Sequence, residues 1–409
     1  MTSEAFVWIH LPGRAVPALA GRIRHQSTPG GAVGRFVYGR TYLGNADAVA
    51  IDPFALPLRE EEFATTTLGG HFSALLDAGP DSWGRRLAAM EHGQQDELGY
   101  LLCTRGDQAG ALSFSAAPDA PPVQGRLYDF SSIEALAEAA TLADQGAPLK
   151  ARHLKLLQPG SGGARPKFNV IKAGALWMAK LESVKDLALP ANLPQLEAAT
   201  LDLAALAGID VPDHEVISLG ARNALLIRRF DRKLEGGIWY RERYVSARTL
   251  FHSNPELQRW SETGSYPGLS RELARWSNRP VEDRRQVLRR LAFNCLISNT
   301  DDHDLNHGLL ADTRGWHLAP AFDLVPQPSG TRRRMQALLV GDEGAESTRA
   351  NILSVAGAYG LSAKVAGVQI DEVKEAVSSQ WRTCLANNGI GKVAIGKLAS
   401  SFVPEYFES

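Results

Sequence analysis

The stretch from residue 158 to residue 231 constrains this chain more than any other feature. QPGSGGARPK (158–167) is a Gly-rich turn. FNVIKA and LWMAKLE follow as two apolar-rich strands parted by Ala173-Gly174. LPQLEAATLDLAALAG (193–208) has the spacing of an amphipathic helix and ends at Gly208. HEVISL and ALLIRRF then form a hairpin across GARN. The order is turn, strand, strand, helix, strand, strand, and the last third of the chain is mostly helical. Strands clustered with one helix ahead of a helical body imply an α+β fold.

The flanks fit that fold. FVWIHL, GRFVYG and AVAIDPF read as short strands near the N-terminus, and GALSFS (110–115) as another. A helix is expected over 71–91 and a second over 131–143, with Ser131 or Ser132 as its cap. PDAPPVQG (118–125) reads as a linker. The helix 280–299 opens on Pro280 with Glu282 and Asp283 in its first turn. Val287, Leu288, Leu291, Ala292 and Cys295 form its buried stripe. Further helices are expected at 351–358, 367–380 and 393–402. The domains divide as 1–125, 126–232 and 233–409.

Composition removes some function classes. Lys+Arg is 44 and Asp+Glu 45, a net of −1, so the chain is no strongly basic nucleic-acid coat. Cys103, Cys295 and Cys384 are too far apart in sequence for a disulfide framework or a zinc knuckle. No apolar run is long enough to span a membrane, and MTSEAFVWIHLPG does not read as a signal peptide. A soluble cytoplasmic protein is expected. Lysine is scarce, 11 against 33 Arg, yet Lys150, Lys155, Lys167, Lys172, Lys180 and Lys185 cluster. Such a cluster is either a set of phosphate partners or a solvated surface.

The chemistry is carried by the loop Asn299-Thr300-Asp301-Asp302-His303-Asp304-Leu305-Asn306. Asp301 and Asn306 are five apart. Protein kinases have a base Asp followed at that spacing by a metal-binding Asn. One carboxylate must face the attacking hydroxyl, and one amide oxygen must face the Mg²⁺ on the phosphates. A hairpin over 308–319 then leads to Asp323 in AFDLVP, a second aspartate for the metal. Upstream stand Gly160-Ser161-Gly162-Gly163, then Lys180 on a strand, then Glu197 on the next helix. That order suits a phosphate site in which a helix Glu holds a strand Lys. His303 either orients the loop or binds substrate, or is simply structural. Arg228, Arg229 and Arg232 beside Phe230-Asp231 line a nucleotide cleft or, on the plainer reading, form a solvated strand end.

These residues resemble the HipA family, the serine/threonine kinase toxins of bacterial toxin–antitoxin modules. LLDAGPDSWGRRLA (75–88) looks like the family's P-D-x-W-G-R-R helix, and GDQAGALSF (106–114) like its short strand. GGARPK, LLIRRFDR, NTDDHDLNHGLL and LAPAFDLVP are similar to its turn, hinge, catalytic loop and metal segment. The resemblance implies a kinase-like two-lobed core behind an N-terminal β-containing domain of the HipA type. It implies Asp301 as base, Asn306 and Asp323 on Mg²⁺, and Lys180 on the ATP phosphates. Ile227, Arg228, Arg229 and Phe230 would lie beside the adenine, with Gly162 and Gly163 in the nucleotide loop. Ser161 is the serine nearest to the family's autophosphorylated position, one residue off its register. Asp302 stands where Gly is common and Leu305 where Lys is common. Implied partners are a protein substrate such as an aminoacyl-tRNA synthetase and a helix-turn-helix antitoxin of the HipB kind, with operator DNA reached through it.

Three functions compete at this point. The first is a serine/threonine protein kinase. The second is a small-molecule phosphotransferase, which uses a similar Asp…Asn…Asp set. The third is a non-catalytic regulator that binds an antitoxin.

Overall fold

The computed structural model describes residues 2–122, 124–157, 164–186, 189–220, 222–254, 256–257, 264–328 and 331–408. Ser161, Gly162 and Gly163 lie outside these. The fold is mixed α/β, in line with the sequence. The chain forms two compact units: 1–183 with 229–245 and 310–313, and 184–228 with 246–309 and 314–409. Among the described residues, no helix is long and apolar enough to cross a membrane.

The first unit opens with a five-stranded antiparallel sheet. Its order is Glu62–Thr65, Gly31–Tyr38, Ala18–Thr28, Thr2–Ile9, Leu112–Ser115. Ala5, Val7 and Ile9 alternate inward and meet Ile23 and Phe36. The strand Ala18–Thr28 escapes the sequence reading because arginines occupy its outer positions. Gly21 is required within it, since a Cβ there would collide with the Val37 carbonyl. AVAIDPF is not a strand. Asp52 accepts hydrogen bonds from the Phe54 and Ala55 amides at 2.9 and 3.0 Å, which bends the chain at Pro53. The Tyr38 hydroxyl accepts from the Ile51 amide and donates to the Leu56 carbonyl, so this segment wraps around a core tyrosine.

The helix expected over 71–91 is broken at Gly79-Pro80 into Ser73–Leu76 and Ser82–His92. Asp81 caps the second piece through the Gly84 amide at 2.7 Å. The helix Ile133–Asp144 starts at Ser132, but that hydroxyl makes no cap bond. Asp129 instead caps the 3₁₀ turn Phe130–Ser132. The two strands read on either side of Ala173-Gly174 are present as Lys167–Lys172 and Ala175–Leu181, and they pair antiparallel. Ala173 (φ 49°) and Gly174 (φ 71°) turn the hairpin. A further hairpin, Arg232–Glu235 with Ile238–Arg241, turns on Gly236-Gly237 and has no counterpart in the sequence reading.

The second unit holds the helix Leu193–Leu206, capped by Asn192, and the hairpin His214–Leu219 with Arg222–Arg228. Its core surrounds the helix Pro280–Leu296, whose Val287, Leu288, Leu291, Ala292 and Cys295 are all fully buried. Truncating any of these leucines to Ala costs about 2–5 kcal/mol. The helices Tyr266–Trp276 and Ala363–Asn387 pack on it. Arg349–Ser354 and Lys392–Leu398 complete the expected helical third.

Candidate active site

The helix Pro280–Leu296 delivers the chain to the loop 299–306. Ser298 leaves the helix at φ 54°, a left-handed conformation that turns the chain sharply. Asp301 is exposed, and among the described residues its carboxylate makes no hydrogen bond or ion pair. Its backbone carbonyl accepts from Asn306 Nδ2 at 3.2 Å. That bond closes the five-residue spacing and leaves the Asn306 amide oxygen available. The 3₁₀ turn Asp304–Asn306 is capped by His303, whose Nδ1 accepts from the Leu305 amide at 3.3 Å. His303 therefore orients the loop.

Asp302 behaves oppositely to its neighbour. It is 1% exposed. It accepts from Asn294 Nδ2 at 2.8 Å, from His307 Nε2 at 2.7 Å and from the Tyr266 hydroxyl. Asn299 extends the network by donating to the Asn294 amide oxygen at 3.0 Å. Burial and the neighbouring Asp302 carboxylate raise the Tyr266 phenol well above its usual range, so it remains a donor. Arg248 grips Asp304 with two bonds of 3.1 and 3.0 Å. The loop is thus pinned through Asp302, Asp304 and His307, and the one carboxylate left uncommitted is Asp301. No signal in the sequence separated Asp301 from Asp302 by burial. The one hint was that Asn294 lies between the apolar residues Phe293 and Cys295.

Asp323 is half-buried and adopts φ 59°. Its neighbours are tied down on both sides. The Ala321 amide donates to the Asp210 carbonyl at 2.7 Å, and the Thr200 hydroxyl donates to the Leu324 carbonyl. Thr200 lies one turn beyond Glu197 on the same helix, where Glu197 is 3% exposed. The Gln327 amide donates to the Ser298 carbonyl at 2.9 Å. The segment after Asp323 is therefore fastened to the stem of the loop. Ile227 is buried in the strand Arg222–Arg228, while Arg228 is exposed and pairs with Asp213 at 2.9 Å.

The first unit holds the other sequence-derived residues. Lys180 is half-buried in the strand Ala175–Leu181, directly across from Lys167. Lys167 is no surface lysine. Its ammonium binds Asp81 at 2.6 Å, and its carbonyl accepts from the Trp83 indole at 3.2 Å. Arg229 and Arg232 are not a solvated strand end either. Both are buried against Asp231, at 2.7 Å each. Arg229 also donates to the Asp107 and Gln108 carbonyls, and Arg232 to those of Gly110 and Gln108. Burial alone would raise the Asp231 carboxyl, but the two guanidinium charges outweigh it and hold it far below the usual range. This cluster fixes the turn that presents Phe230.

The mixed fold is that of a kinase-like protein. The HipA-like C-terminal domain family matches residues 160–381, and the chain belongs to that family. It is 28% identical over 326 residues to "Putative kinase Y4mE" of Sinorhizobium fredii (strain NBRC 101917 / NGR234), covering 75% of each chain. It is also 28% identical over 291 residues to "Putative kinase Y4dM" of the same strain, covering 67% of this chain and 66% of that one. Among solved structures, it is similar in fold to the toxin–antitoxin complex of HipA, HipB and its operator DNA from Shewanella oneidensis MR-1. That match has a TM-score of 0.67 at 16% identity, over 97% of this chain and 94% of that one.

Proposed function

We propose that this chain is a protein kinase that transfers the γ-phosphoryl group of ATP to a serine or threonine hydroxyl of a protein. The observation that carries the reading is the contrast within one loop. Asp301 is exposed and uncommitted, while Asp302, Asp304 and Asn306 are held around it. A loop fixed at several points and free at one carboxylate suits a base that must meet an incoming hydroxyl.

The donor set suits Mg²⁺, which takes carboxylate and amide oxygens rather than imidazole or thiolate. Asn306 has its amide nitrogen engaged and its oxygen available, and Asp323 supplies a carboxylate. These two would hold the metal, which when bound would neutralise charge on the transferring phosphoryl group. Asp301 would accept the hydroxyl proton at its carboxylate oxygen. Lys180 would pair with the nucleotide phosphates, and Ile227 and Phe230 would border the base. Arg229 would act there through the turn it stabilises, since its guanidinium is engaged with Asp231 and two carbonyls. Ser161 is the residue we assign to autophosphorylation. A helix-turn-helix antitoxin of the HipB kind is the partner we assign, with operator DNA bound through it.

The test is incubation of the purified chain with Mg²⁺ and γ-labelled ATP, with and without cell lysate, beside Asp301→Asn. Label on the chain or on a lysate protein, absent from the variant, supports the reading. Absence of transfer to any protein, together with ATP binding, would direct attention to a small-molecule acceptor.

A further inference from the structure

Arg229, Arg232, Arg241, Arg290 and Arg334 are all buried. The first four have carboxylates to balance them. Asp231 binds Arg229 and Arg232, and Asp231 and Asp107 act on Arg241. Asp210, Asp283 and Asp302 act on Arg290. Arg334 differs. It is 4% exposed, yet among the described residues it forms no ion pair. Among the described residues, its Nη2 donates only to the Ser400 carbonyl, at 3.4 Å, and its Nε and Nη1 have no partner.

The surroundings are rich in hydroxyl groups. Ser298 Oγ and Ser401 Oγ are fully buried; Ser401 Oγ has no partner among the described residues, and Ser298 Oγ lies against the Tyr406 phenol. Ser401 follows the residue that Arg334 touches. Ser298 neighbours the Tyr406 phenol, which burial raises to about 12 against the opposing pull of the Arg334 charge. The Val403 amide donates to the Leu296 carbonyl at 2.6 Å, which brings the C-terminal segment to the end of the long helix. Arg334, Ser298 and Ser401 therefore belong to one buried polar layer. Among the described residues, the Arg334 Nε and Nη1 donors are unfilled and no carboxylate pairs with its charge.

A buried guanidinium without a counter-charge is strongly disfavoured. Water could fill the hydrogen bonds but would leave the charge. We propose that Arg334, with the hydroxyls of Ser298 and Ser401, forms a binding site for a small oxyanion of the phosphate type. A planar guanidinium and neighbouring hydroxyls supply the donors that such an anion accepts. The site lies behind the loop, because Ser298 is three residues before Asp301 and its carbonyl holds the Gln327 amide. An anion here fastens the C-terminal segment to the stem of the loop. The inference does not depend on the kinase reading.

The experiment is thermal unfolding of the full chain in buffer without added salt, titrated with sodium phosphate or with sodium chloride at matched ionic strength. Wild type, Arg334→Met and Arg333→Gln are compared. Arg333 is an exposed neighbour and serves as the control. The expected result is a rise in Tm with phosphate in wild type and Arg333→Gln, and a far smaller rise with chloride. Arg334→Met should show no phosphate response, and its Tm without phosphate should equal or exceed that of wild type. A phosphate response of the same size in Arg334→Met overturns the proposal, as does no response in wild type. If Arg334→Met does not fold, calorimetric titration of phosphate into wild type and Arg334→Lys decides. A loss of affinity of about tenfold or more in the Lys variant supports the site, because Lys lacks the planar donor set, and equal affinity overturns it.

Discussion

Asp301 and Asp302 are consecutive in sequence and opposite in environment: Asp301 is exposed with its carboxylate free, and Asp302 is buried beneath Tyr266, Asn294 and His307. Their substitutions should separate function from stability. Asp301→Asn should lower phosphoryl transfer by about 10²-fold or more and change stability by less than about 0.5 kcal/mol. Asp302→Ala leaves buried donors unpaired and should cost about 2–5 kcal/mol. Turnover with labelled ATP and urea unfolding of both variants check the pair. Large destabilisation by Asp301→Asn would contradict the assignment of roles.

Two lysines facing each other across one hairpin should divide in the same way. Lys167 binds Asp81 in a nearly dry pair, with side chains 4% and 12% exposed. Lys167→Ala strands that carboxylate and should cost about 2–4 kcal/mol. Lys180→Ala should cost less stability and lower transfer by about 10²-fold, if Lys180 pairs with phosphate. Nucleotide binding by calorimetry, measured beside unfolding, distinguishes the two. Equal loss of nucleotide binding in both variants would refute the division.

What the sequence disclosed was local. The helix Pro280–Leu296 was legible because its apolar stripe keeps one period over its length. The two strands around Ala173-Gly174 were legible because a turn pair separates two apolar runs. The hairpin that follows the loop was legible because two short apolar runs are parted by Asp312-Thr313-Arg314-Gly315. Long-range pairing was not. Nothing near Lys167 announces Asp81, and nothing near Arg229 announces the carbonyls of 107–108. These partners lie over 80 residues away, so charged residues that look solvated in sequence are buried in the fold. AVAIDPF failed for the opposite reason, because a local Asx turn overrode a strand-like composition.

Ala173 holds a left-handed φ of 49° at a turn position where L-residues with a Cβ are strained. Asn tolerates this conformation better, and Asn-Gly is the favoured pair for such a hairpin. Ala173→Asn should therefore stabilise the chain by about 0.5–1 kcal/mol. The check is a shift in urea midpoint without a change in slope. A lowered midpoint would mean that the side chain at 173 meets a neighbour that Asn disturbs.

Asp231 should impart a pH dependence in acid. Its carboxyl is held far below the usual range by Arg229 and Arg232, despite burial. An unfolded Asp titrates at about 3.9. As the pH falls through that value, the unfolded chain takes up a proton that the native chain refuses. Stability then falls with pH, because the unfolded state binds more protons. The contribution is complete above about pH 5 and is lost progressively below about pH 4. At neutral pH, Asp231→Asn should cost about 3–5 kcal/mol, because two buried guanidinium groups lose their counter-charge. Urea unfolding of wild type and Asp231→Asn at neutral pH and at successive points below pH 5 should show the gap narrowing as acid is added. Other carboxylates titrate in both proteins and cancel in the difference. A gap that stays constant down to the acid limit would show that Asp231 does not retain its charge in the native state.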